Sequence, residues 1–114
     1  MTEYDARTGE FSTYQIDPES VGFGRCDLES VRGGVVATNM RIVLGVLDGE
    51  AGPCREVVLF NAGAGLYAAN AVDSITTGIA QAADSIDSGR ARAALDAVVA
   101  YSEELFQQPV AVAS

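Results

Sequence analysis

The stretch Glu56–Val72, EVVLFNAGAGLYAANAV, carries no charge after its first residue, and its reading decides the fold. Two readings compete. In the first, Val57-Val58-Leu59-Phe60 is a buried strand and Gly63-Ala64-Gly65-Leu66-Tyr67-Ala68 is a GxGxxA phosphate turn. That turn has meaning early in a βαβ unit, with an acidic residue ending a second strand. Downstream lie Ser74 and a helix-patterned run instead, with no second strand before Asp84 or Asp87. In the second reading the stretch is one helix, begun at Gly52-Pro53 and ending near Asn70, that uses small residues for close packing. It is apolar nearly all round, the mark of a helix buried on every side. If three of Val57, Val58, Leu59, Phe60, Leu66 and Tyr67 stayed exposed, the forgone burial would be roughly 5–9 kcal/mol, at ~1.5–3 kcal/mol each. That is comparable to the whole stability of a small domain. The helix reading prevails, and something outside this chain is expected to cover it.

On either side the pattern is also helical. Met40, Val43, Leu44 and Leu47 fall at helical spacing in a segment from Val36 to Asp48, which Gly49 ends. Ser74 caps a helix whose Ile75, Ile79, Ala82, Ala83 and Ile86 line one face before Gly89 stops it. A last helix runs from about Arg90 to Gln107, and residues from Pro109 onward read as a frayed tail. Upstream, Asp27 caps a brief helix through Arg32, and Asp17-Pro18 starts a turn that Gly22 and Gly24 keep short. The N-terminus is a β-hairpin, Thr2–Asp5 with Glu10–Ile16 around Ala6-Arg7-Thr8-Gly9. A lone hairpin is marginal in water and needs a sheet to join or a helix to lie on. The chain is therefore expected to be mainly α with an N-terminal β-hairpin: one partial domain over 1–108, with the hairpin at 2–16, helices at 27–107 and a disordered tail at 109–114.

Charge and composition narrow the function. The net charge is −9, there is no lysine, and the seven arginines scatter from Arg7 to Arg92. Nucleic-acid binding needs clustered cations, and anionic membranes repel an acidic chain. Neither is an expected partner. No apolar run is long enough to span a bilayer, and the first twenty residues lack the form of a secretory signal, so a cytoplasmic protein is expected. Cys26 and Cys54 are far apart and there is no histidine, which rules out a Cys/His zinc site and a histidine base with Ser or Cys. Three weaker signals have bland counterparts. Arg32-Gly33-Gly34 could form an anion nest, but Gly-Gly between two helices needs no ligand to explain it. Asp84 with Asp87, or Glu103 with Glu104, could touch magnesium, but solvated helix faces often look like this.

Taken in order, several segments form a series: Asp17-Pro18-Glu19; Gly33-Gly34 with Asn39; Val43-Leu44 leading to Gly49-Glu50-Ala51-Gly52-Pro53; Val57-Val58-Leu59-Phe60-Asn61-Ala62; Leu66-Tyr67; and Ile86-Asp87-Ser88-Gly89. This series resembles the C-terminal part of the anthranilate phosphoribosyltransferases, within the nucleoside phosphorylase and phosphoribosyltransferase family, through about Leu95. The resemblance implies a small helical domain plus a larger α/β domain, of which this chain would supply a terminal hairpin and covering helices. It implies phosphoribose transfer from phosphoribosyl pyrophosphate to the amine of anthranilate, in tryptophan biosynthesis, with Mg2+ in the full-length enzyme. The family's Gly-rich phosphate loop, Lys-His-Gly-Asn segment and metal-binding Asp-Glu pair have no counterpart here; the pair would fall shortly before Met1. Where the family often has an acidic residue after Gly-Gly, this chain has Val35. No catalytic, cofactor-binding or metal residue carries over, and no cofactor is expected in this chain.

Two expectations follow. The chain is the C-terminal segment of such an enzyme (a truncated gene, a split subunit or a mis-set start), inactive alone, with the missing N-terminal portion as its partner. The alternative is a non-catalytic helical module that keeps the scaffold and self-associates through the Val57–Tyr67 helix.

Overall fold

A hairpin, two single 3-10 turns and four helices succeed one another in the computed structural model, which describes residues 1–107. The expected tail at 109–114 lies outside the described residues. Strands β1 (Thr2–Asp5) and β2 (Glu10–Thr13) pair antiparallel with Tyr4 opposite Phe11, their ring centroids 4.8 Å apart. Gly9, at φ +73°, lets its amide turn back onto the Asp5 carbonyl at 2.7 Å. The second strand ends at Thr13, short of the expected Ile16. Met1 pairs with Tyr14 through both its amine and its carbonyl.

The turn at Pro18–Val21 is capped by the Asp17 carboxylate and closed by Gly22 at φ +87°. At Leu28–Val31 the expected brief helix is a single 3-10 turn, capped by Asp27 through the Ser30 amide. The longer elements follow the expected punctuation: α1 (Val36–Leu47), α2 (Pro53–Ala68), α3 (Ile75–Asp87) and α4 (Arg90–Gln107). Pro53 supplies the preset φ of a first helical position, Ser74 accepts from the Thr77 amide, and Gly49 and Gly89 turn the chain at positive φ.

Helices α2 and α3 make the principal packing contact, and they do so backbone against backbone. A Cβ on Gly63 would lie 2.7 Å from the Ile79 amide nitrogen; one on Gly78 would lie 2.5 Å from the Gly63 carbonyl oxygen. That closeness brings Leu59, Ile79, Ala82 and Ile86 together with Val46 of α1 into a core of five buried hydrophobic residues, flanked by Phe23, Phe60 and Ile75. No side chain in it is completely enclosed.

The core is small for the chain. The radius of gyration is 17.8 Å, against about 13 Å for a compact chain of this length. The accessible surface is 8432 Å², whereas a folded monomer of this mass exposes about 5,900 Å². Exposed apolar side chains contribute to the excess, among them Val43, Val57, Val58, Val98 and Tyr101 on the helices and Tyr4 and Phe11 on the hairpin.

The hairpin is held to the body by one carboxylate. Tyr14 and Tyr67 both donate their hydroxyls to Glu3, to Oε2 at 2.9 Å and Oε1 at 2.6 Å. Burial, followed by the Glu3 carboxylate, pushes the Tyr14 hydroxyl above its ordinary value; for Tyr67 the hydrogen bond to Glu3 leads and burial adds to it. Both folded values exceed the unfolded one of 10.0. The latch therefore contributes fully below that pH and is lost as pH rises through the raised values. In an NMR titration with labelled tyrosine, Tyr14 and Tyr67 are expected to ionise above the free phenol, and Glu3→Ala to bring both down. Unchanged values in that variant would mean the latch does not form in solution.

Candidate functional site

The chemistry-bearing motifs are each consumed by the fold. Gly63 and Gly65 sit inside α2, not at a strand-to-helix turn, and Gly63 is the contact point for Gly78. The Gly33-Gly34 nest is filled from within: the Gly34 amide donates to Asn39 Oδ1 at 2.8 Å, and Asn39 Nδ2 returns a bond to the Gly34 carbonyl at 3.0 Å. A Cβ on Gly33 would collide with the same Asn39 oxygen. Arg32 turns away to Glu29 at 3.3 Å.

Asp84 and Asp87 are each engaged by an arginine, Arg90 at 2.6 Å and Arg55 at 3.0 Å. A guanidinium on each carboxylate competes with a divalent cation, so this pair is a poor fit for the magnesium contact that its spacing alone would allow. Among the described residues no three His, Cys, Asp or Glu side chains converge as a metal site. Glu103 and Glu104 project from the exposed end of α4. Cys26 and Cys54 are both free thiols; Cys54 is half-buried, its sulfur 3.6 Å from the Ser30 carbonyl. No helix among the described residues is long and apolar enough to cross a membrane.

The surface that does stand out is the outer side of α2. Leu59 and Gly63 point inward, while Val57 and Val58 are each 43% exposed and Ala62 and Gly65 are open. Of the six large side chains that the sequence marks as needing cover, these two valines are exposed and Phe60, Leu66 and Tyr67 are half-buried. Val58, Ala62, Gly65 and Leu66 form one wall of a groove of about 610 Å³, which Gln81, Ser85, Ile86 and Ala91 complete from α3 and α4. On the other side of α2, Val57, Phe60 and Asn61 line a cavity of about 370 Å³ with Ile16, Pro18, Phe23 and Cys26. The Arg55 side chain is 15% exposed between α2 and α3, and its Nη1 has no partner among the described residues. These grooves contain no nucleophile paired with a base. What they offer is apolar area and small residues that admit close approach. Neither Glu3 nor Arg55 stands out in the sequence as a contact residue, because their partners lie 64 and 32 positions away.

Comparison with known proteins gives these surfaces a context. A family model described as "Glycosyl transferase family, a/b domain" matches residues 2–92. Among curated proteins, the chain is similar to the anthranilate phosphoribosyltransferases of Brucella ovis, Brucella suis and Brucella melitensis. Each is 44% identical over 96 residues, covering 84% of this chain and 28% of the relative. The chain thus spans 28% of the length of the relatives it matches. With most of its length matched, and with its hairpin, capped helices and glycine contacts falling in the matched region, this chain belongs to the glycosyl transferase family through that a/b domain.

Proposed function

We propose that the chain is a C-terminal segment of a cytoplasmic anthranilate phosphoribosyltransferase, an enzyme that moves phosphoribose from phosphoribosyl pyrophosphate to the amine of anthranilate. On this reading the chain supplies scaffold, and it is inactive alone. The observation that carries the reading is the outer side of α2: an apolar face with small residues, left open in a chain that spans 28% of its relatives. The matching family model describes an a/b domain, yet the described residues contribute one two-stranded hairpin and helices. The sheet of that domain, the phosphate-binding backbone and the residues that hold Mg2+ would come from the missing portion of the enzyme, packed on Val58, Ala62, Gly65 and Leu66. Phosphoryl groups and a departing pyrophosphate demand preorganised amides and metal-holding carboxylates, and the Asn39-filled loop and arginine-bound aspartates offer neither.

The test is titration calorimetry of the full chain with phosphoribosyl pyrophosphate and Mg2+. No binding is expected for the chain alone; binding and transferase activity are expected after mixing with the rest of the Brucella ovis relative. Saturable micromolar binding by the chain alone would defeat the proposal. A second reading, a non-catalytic module that self-associates through Val57–Tyr67, draws on the same two exposed valines. It requires a homodimer that Val58→Glu abolishes.

A further inference from the structure

We draw no further inference here: the strongest candidate, the apolar cavity of about 370 Å³ between α2 and residues 16–26 with the free thiol of Cys26 in its lining, is an unpartnered surface, and nothing in the structure shows what covers it.

Discussion

Gly78→Ala is expected to destabilise the chain by the upper end of ~1–3 kcal/mol or more, the cost of overpacking where nothing can yield. The added carbon would meet the Gly63 carbonyl oxygen at 2.5 Å and its Cα at 2.9 Å. Both are backbone atoms within a helix, so no side chain can swing aside; α2 and α3 must part. Parting them loosens Leu59, Ile79, Ala82 and Ile86 together, which is most of the core. With total stabilities of small domains only about 5–15 kcal/mol and a core this thin, the loss is a large share of the whole. Gly65→Ala, in α2, is the control. A Cβ there meets nothing within 4 Å, and replacing a helix-interior glycine is expected to add roughly 0.5–1 kcal/mol. Urea unfolding followed by circular dichroism measures both. The outcome that would sink the account is two alanines shifting the midpoint in the same direction.

Neighbouring residues on α2 should differ as sharply. Leu59→Ala removes a side chain 5% exposed at the centre of the core, and is expected to cost ~2–5 kcal/mol through lost burial and an unfilled cavity. Val58→Ala, one position earlier and 43% exposed, is expected to fall within about 0.5 kcal/mol in the free chain. The contrast changes with partner. If, as proposed, the rest of an enzyme packs on the outer face, Val58→Ala should weaken that association while leaving the free chain's unfolding midpoint alone. Equal costs for Leu59→Ala and Val58→Ala in the free chain would mean that α2 is buried on both sides here.

Much of this arrangement can be read along the sequence because its signals are local. Gly49, Pro53, Ser74 and Gly89 punctuate the helices by their own backbone preferences, and α1 to α4 begin and end within a residue or two of where those signals fall. The apolar run at 56–72 announces a helix with too much hydrophobic surface for its neighbours, and two bare valines mark where the cover is lacking. Other features depend on distance. That Gly63 rather than Gly65 touches α3 is set by the angle at which two helices cross, which no residue near Gly63 encodes. The Asn39 amide that fills the Gly33-Gly34 loop is close in sequence but could equally have pointed to solvent.

The Glu3 latch has a consequence for the order of assembly. The hairpin has two strands only, so β1 and β2 each keep one edge of unpaired amides and carbonyls. Left to itself such a ribbon would wander, and a strand arriving from elsewhere would have to catch it. Tied through Glu3 to Tyr67 at the far end of α2, the ribbon holds a fixed heading before any neighbour comes. The freedom lost in orienting it is already spent within this chain, which leaves less to lose at the moment of docking. The hairpin behaves as a guide rail, and ionisation of Tyr14 and Tyr67 at high pH takes away the hydrogen bonds that hold its heading.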